Sequence, residues 1–198
     1  MKPKDFYDTL IKSDINFFTG IPDSLLKSIL AYITEKSNSK NNIISANEGS
    51  AVSIGIGYHL ATNKTPLIYM RNSGLGNWIN PLLSLADKLV YSIPMILLIG
   101  WRGQPGNKDE PQHKKQGKVT LSMLDAMKIK YIIIDKNSSL KGVSKIINFA
   151  KNNSEPVAIV VKKSTFENYI LKKEIGNKYS LTREEALNKI VSKIQKKL

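Results

Sequence analysis

Ile43-Ile-Ser-Ala-Asn-Glu-Gly-Ser-Ala-Val-Ser-Ile-Gly-Ile-Gly57 decides the fold. The stretch opens as a short β-branched run, breaks at Asn47-Glu48-Gly49, and continues with small and apolar residues at helical spacing. A strand therefore runs straight into a helix. The same unit recurs on either side of it. Strands are predicted at Asn16 to Thr19, Ile43 to Ala46, Leu67 to Met70, Met95 to Ile99, Tyr131 to Ile134 and Val157 to Val161. Helices are predicted at Pro3 to Ser13, Ser24 to Lys36, Gly49 to Ala61, Asn80 to Leu89, Thr120 to Met127 and Leu140 to Lys151. Alternation of this kind specifies an α/β fold: a doubly wound, mostly parallel six-stranded sheet with helices on both faces.

A chain of 198 residues, 41% of them hydrophobic, can bury one sizeable core and is short for two. Residues 1–165 are read as one domain, and 166–198 as a connector and a final helix. The connector is lysine-rich from Lys162 to Ser180. Thr182-Arg-Glu-Glu185 then has the form of a capping box, and Leu187, Ile190, Val191 and Ile194 make one apolar stripe. That stripe has to pack on this domain, on a partner chain or on a following domain.

Cysteine is absent, so disulfides, thiolate metal sites and thiol nucleophiles are excluded together. No charged leader precedes an apolar signal core and no apolar run approaches a membrane span, so the chain reads as a soluble cytoplasmic protein. The formal charge of +14 raises nucleic-acid binding. Its cations are dispersed lysines, however, with Arg71, Arg102 and Arg183 the only arginines. Base-edge and phosphate recognition favour the planar arginine fork, so a solvated lysine-rich surface is the better reading and neither a nucleic acid nor a membrane is expected as partner.

In open α/β sheets ligands lie beyond the carboxyl ends of the strands. The segments there are Gly20-Ile-Pro-Asp-Ser24, Asn47-Glu-Gly-Ser50, Asn72-Ser-Gly-Leu-Gly-Asn77 and a long polar loop from Gly100 to His113. Each offers a plain structural role beside a chemical one. Glu48 suits the first turn of a helix, where a carboxylate complements the dipole. Small residues after it also let a cofactor or a second backbone come close. Asp23 is either a helix cap or an acid at the sheet mouth. His113, placed in the polar loop near Asp109 and Gln112, is an acid/base or substrate-contact candidate, whereas His59 reads as structural. Asn72-Ser73-Gly74 is a turn or a cradle for a cofactor edge. Trp101-Arg102 is a loop anchor or an anion clamp.

Taken together, Thr19-Gly-Ile-Pro-Asp-Ser-Leu-Leu26, Ala46-Asn-Glu-Gly-Ser-Ala51, Gly57-Tyr-His-Leu-Ala-Thr62, Arg71-Asn-Ser-Gly-Leu-Gly-Asn77, Ser92-Ile-Pro-Met-Ile-Leu-Leu-Ile-Gly-Trp-Arg-Gly103 and Asp109-Glu-Pro-Gln-His-Lys-Lys-Gln-Gly117 resemble the phosphonopyruvate decarboxylases. These belong to the thiamine-diphosphate-dependent enzymes. The match runs in order to about Asp135 and weakly to Glu185. It implies the pyrimidine-binding domain of such an enzyme. It also implies an activity, the conversion of 3-phosphonopyruvate to phosphonoacetaldehyde and CO2 in phosphonate biosynthesis. Sulfopyruvate decarboxylase, a relative in the wider family whose pyrimidine-binding and diphosphate-binding parts can be separate subunits, is the alternative reading, and a non-catalytic module of the same fold is a further one.

By this resemblance Glu48 hydrogen-bonds N1′ of the cofactor's aminopyrimidine, and Asp23 and His113 handle protons. Asn72, Ser73 and Gly74 line the cofactor. Ser24, Arg102 and Gln112 are the expected substrate contacts, with Arg102 receiving the second anionic group. The Gly-Asp-Gly segment that holds diphosphate and Mg2+ in the family is not in these residues. Thiamine diphosphate would therefore be shared with a diphosphate-binding domain or β subunit that supplies the Mg2+ site, in a homo- or hetero-oligomer, with no metal held by this chain itself.

Overall fold

The computed structural model describes residues 1–172 and 181–195. Among them, six strands form a single sheet: β1 Phe18–Gly20, β2 Asn42–Ile44, β3 Leu67–Arg71, β4 Met95–Gly100, β5 Lys130–Ile134 and β6 Pro156–Val161. Their order is β2-β1-β3-β4-β6-β5, and every pairing is parallel. The expectation of a mostly parallel sheet is met by a wholly parallel one.

Between the strands run α1 Pro3–Lys12, α2 Lys27–Lys36, α3 Glu48–Thr62, α4 Leu75–Pro81, α5 Pro111–Ala126 and α6 Leu140–Asn153. Right-handed crossovers assign each helix a face. From β1 the chain moves outward to β2 through α2, then back across β1 to β3 through α3, so α2 and α3 fall on opposite faces. One core joins α1, α2 and α6 to the sheet through Phe6, Leu10, Ile29, Ile33, Ile146 and Ile147. The other sets α3, α4 and α5 against it through Val52, Ile56, Trp78, Leu82 and Leu124. Because β3 and β4 are buried on both sides, they read as continuous apolar runs, Leu67–Met70 and Met95–Ile99.

Local chemistry sets the helix ends. Pro3 sits in the first turn of α1, and Asn47 caps α3 by accepting from the Ser50 amide at 2.9 Å. Asn63 in the left-handed region, with φ 57°, closes α3. Two helices depart from expectation. α4 begins at Leu75, after a 3-10 turn at Asn72–Gly74, contains Pro81, and ends in a π-helical turn, Leu82–Ala86; the predicted Asn80 to Leu89 helix is displaced toward its N-terminus. Proline has no amide hydrogen for the usual bond to residue i−4, here Asn77, which fits the change of winding after it. α5 starts at Pro111 and not at Thr120, so Gln112 and His113 lie on a helix and not in the loop.

The segment after β6 stays on the body up to Lys172. Phe166 packs edge-on against Phe6 at 5.2 Å, Tyr169 against Tyr32 at 5.1 Å, and the Tyr169 hydroxyl donates to Glu35 at 2.8 Å. The first residues after 165 thus pack on the body through Phe166 and Tyr169. The connector expected over 173–180 lies outside the described residues. α7 Arg183–Gln195 follows, with the reciprocal capping bonds expected: the Thr182 amide donates to Glu185 at 2.7 Å and the Glu185 amide to Thr182 Oγ1 at 3.2 Å. Its apolar residues Leu187, Ile190, Val191 and Ile194 are exposed. No helix of the described residues is long and apolar enough to cross a membrane.

Candidate active site

Strand order reverses between β1 and β3, so the crevice at their carboxyl ends is where an open α/β sheet places a ligand. Four segments meet around it: the turn after β1, the start of α3, the Asn72–Gly74 turn, and the loop from Trp101 to Glu110.

Glu48 is the first residue of α3 and is half-buried. Its Oε2 accepts from Asn77 Nδ2 at 2.8 Å, which fixes the carboxylate, while Oε1 takes no hydrogen bond from the described residues. Gly74 is pressed against it. A β-carbon there would stand 2.4 Å from Cγ and 2.5 Å from Oε1 of Glu48, so no other residue leaves the carboxylate in this place. Two residues beyond Gly74, Gly76 opens onto free space.

Asp23 is enclosed, its side chain 0% exposed. Oδ1 accepts from the Leu25 amide at 2.9 Å and Oδ2 from Arg71 Nε at 2.8 Å. Gly100, which faces Arg71 across β3 and β4, makes the room; a β-carbon on it would come within 2.3 Å of Oδ1. Asp23 is thus both the helix cap and the anchor of an arginine. The proton-handling role expected of it does not suit a carboxylate with both oxygens engaged and no access to solvent.

Arg102 is held as firmly. Nε and Nη2 form a two-pronged pair with Asp109 at 3.0 and 2.6 Å, and Nη1 donates to Ser24 Oγ at 2.8 Å. The Asp109 hydrogen bond raises the Arg102 guanidinium above its ordinary value, and in return Arg102 holds the Asp109 carboxyl well below the usual carboxylate range. A fork already filled by a carboxylate is not free for a second anion. Gly103 turns the loop at φ +66° with its α-carbon against the His113 carbonyl, and Trp101 Nε1 donates to the Gly117 carbonyl at 2.9 Å. The long loop is therefore stapled to α5.

Asn72 is buried, and its amide is fully committed: Nδ2 donates to the Arg102 carbonyl at 2.8 Å and to Thr120 Oγ1 at 2.9 Å, and Oδ1 accepts from the Arg102 amide at 3.0 Å. It ties β3 to β4 and α5 and does not offer its side chain to a cofactor. Ser73 is half-buried beside it, and Gln112 is exposed on the first turn of α5. His113 is buried there, its Nδ1 without a partner. Next to Asp23 and Ser24, a cleft of about 340 Å3 opens, lined also by Lys27, Asn42 and Tyr69. Burial pushes the Tyr69 hydroxyl up to about 12, and it donates to Asn42 Oδ1 at 3.1 Å.

Residues 4–129 match the family described as thiamine pyrophosphate enzyme, N-terminal TPP binding domain. The chain belongs to this family. It is 34% identical over 115 residues to phosphonopyruvate decarboxylase of Streptomyces viridochromogenes, covering 58% of this chain and 28% of that one. It is 30% identical over 156 residues to the sulfopyruvate decarboxylase alpha subunit of Methanococcus maripaludis, covering 78% of this chain and 90% of the subunit. Among solved structures, benzoylformate decarboxylase from Polynucleobacter necessarius superposes with a TM-score of 0.64 at 19% identity, over 91% of this chain and 33% of that one. The chain thus spans under a third of one relative and nearly the whole of another.

As a thiamine pyrophosphate enzyme domain, the fold brings together Glu48, Ser73 and Gly74 around α3, and Asp23, Ser24 and Arg102 around β1. The residues present fit an aminopyrimidine edge: a carboxylate with one oxygen fixed and one free, against a glycine wall. Asn77, Arg71 and Asp109 do structural work here that had not been assigned to them, although all three stand inside the quoted motifs. Their signal was a polar side chain at a strand end for Arg71, in the first turn of a helix for Asn77, and in the loop just before a helix for Asp109.

Proposed function

We propose that this chain is the pyrimidine-binding half of a thiamine-diphosphate-dependent 2-oxo acid decarboxylase whose substrate is 3-phosphonopyruvate. The observation that carries the reading is Glu48, fixed by Asn77 and backed by Gly74 with Oε1 free. When bound, thiamine diphosphate supplies the nucleophilic carbon and the electron sink that a 2-oxo acid needs to lose CO2. In this chain Glu48 hydrogen-bonds N1′ of the pyrimidine and holds the proton there. Asn77 keeps the carboxylate aimed. His113 is the proton carrier for the departing aldehyde, supported by a buried ring nitrogen that no described residue occupies. The Ser73–Gly74 turn lines the ring, and Ser24 and Gln112 edge the substrate space. The diphosphate and Mg2+ are held by a second domain or subunit, with the α3 face at the junction.

Sulfopyruvate is the second reading, favoured by the 90% coverage of a separate alpha subunit. Both substrates are three-carbon 2-oxo acids with an anion on C3. The test is to combine this chain with a diphosphate-binding partner, thiamine diphosphate and Mg2+, and to measure CO2 release from 3-phosphonopyruvate, sulfopyruvate and pyruvate. Release from 3-phosphonopyruvate that falls by about 100-fold or more in Glu48→Gln is the expected result. A pair that turns over none of the three, or a Glu48→Gln variant as fast as the parent, overturns the reading.

A further inference from the structure

The crevice holds two arginines, and their surroundings are unlike. Arg102 has its planar fork filled by Asp109 and a third donor on Ser24. Arg71 donates only through Nε, to Asp23, so among the described residues both of its terminal nitrogens lack a partner. The two partners of that pair also differ in exposure, 37% for the Arg71 side chain and 0% for that of Asp23. A buried carboxylate with an accessible guanidinium makes a pair whose positive end faces outward. Asp23 cannot follow a swing of the arginine, because the Leu25 amide fixes Oδ1 and the strand at Gly100 closes behind it. Arg71 is therefore aimed before any ligand arrives, so little side-chain freedom is lost on binding.

Position strengthens the case. Arg71 ends β3, and Asp23 follows β1, so the pair stands across the point where strand order reverses. Arg71 also leads directly into the Asn72–Gly74 turn, whose last residue touches Glu48. The open guanidinium and the Glu48 carboxylate are thus carried by one short segment.

Building on the decarboxylase reading above, we infer that Arg71 receives the anionic group on C3 of the substrate. Asp23 is its positioning residue, and the Arg102–Asp109 pair is the wall behind them. Two open N–H groups on each terminal nitrogen of a planar cation suit a tetrahedral oxyanion, phosphonate or sulfonate, in a two-pronged contact. A substrate without that group gains nothing from Arg71, so the residue sets preference over pyruvate.

The test uses the chain combined with its diphosphate-binding partner and cofactors, in steady state with 3-phosphonopyruvate, sulfopyruvate and pyruvate. Arg71→Gln is expected to raise KM for the preferred C3-anionic substrate by about tenfold or more, with kcat within about threefold. Selectivity over pyruvate falls by a similar factor. Arg71→Lys, which keeps the charge and loses the fork, recovers part of it. Asp23→Asn gives the same KM pattern without touching the substrate; if that variant fails to fold, the Arg71 pair still decides. An unchanged KM in Arg71→Gln, or an equal loss with pyruvate, overturns the inference while leaving the decarboxylase reading standing. A parent enzyme inactive on all three substrates overturns both.

Discussion

Glu48 owes its place to a residue with no side chain. Gly74 allows the carboxylate to lie flat against the Asn72–Gly74 turn, and its backbone does not itself require glycine, since no left-handed φ is found there. Gly74→Ala is therefore a clean probe. The added methyl displaces a flexible side chain and no backbone, so unfolding free energy should stay within about 1 kcal/mol of the parent. Displacing the carboxylate by about an ångström should nevertheless cost about 100-fold in kcat. Full activity in Gly74→Ala, or a collapse of stability, would contradict this placement. Asp109 offers a second probe, through pH. Arg102 holds its carboxyl below the ordinary value of 3.8, so the contribution to stability is complete above that value and is lost as pH falls from there through the depressed one. In thermal melts Asp109→Asn should lie below the parent at neutral pH, with the gap closing as the solution is acidified beneath the usual carboxylate range. A gap that stays constant with pH would remove the ion pair from the explanation. At this scale the sequence marked Glu48, Asp23 and Arg102 but not their partners. Which oxygen meets which nitrogen depends on strand register, and that is a tertiary fact.

Among the elements, β3 and β4 were legible because strands buried on both faces are continuous apolar runs. α3 was legible because Asn47 caps it and the small residues after Glu48 repeat at helical spacing. α5 was misread at its start for a physical reason. Lys114, Lys115, Gln116, Gly117 and Lys118 give its first turns no continuous apolar stripe, and glycine argues against a helix interior. Gly117 is there because α5 presses on the loop: a β-carbon would lie 1.8 Å from the Gly103 carbonyl oxygen. Pro111 at the first helical position was the start signal that carried the true boundary. α4 departs from the expected Asn80 to Leu89 because proline, which suits a first helical turn, here lies at the end of the helix as Pro81. The element-level consequence concerns Asn72, which joins β3 to β4 and α5 through three hydrogen bonds. Asn72→Ala removes all three bonds, leaving the Arg102 amide with only its 3.2 Å bond to the Gly100 carbonyl, and should lower the unfolding free energy by about 2 kcal/mol in urea titrations. A loss near zero would mean that the bridge is redundant.

For the whole molecule, the alternation of strands and helices gave the fold class, while strand order was not readable. Nothing in the sequence says that β6 inserts between β4 and β5, or that β1 and β3 neighbour each other to bring Asp23 against Arg71. The order matters because it makes the crevice in which all the candidate residues gather. Glu48 is also only half-buried, and Gly76, two residues beyond the glycine that backs it, is open. Under the proposed function this is the surface on which a second polypeptide region bringing the diphosphate site would close. The most direct measurement of Glu48's role is the rate at which the C2 proton of thiamine diphosphate exchanges with deuterium in the combined protein, followed by NMR after acid quench. Exchange in the parent should exceed that in Glu48→Gln by about 100-fold or more at equal cofactor occupancy. Equal rates in the two proteins would contradict a pyrimidine-binding role for Glu48 and, with it, the assignment of this crevice as the active site.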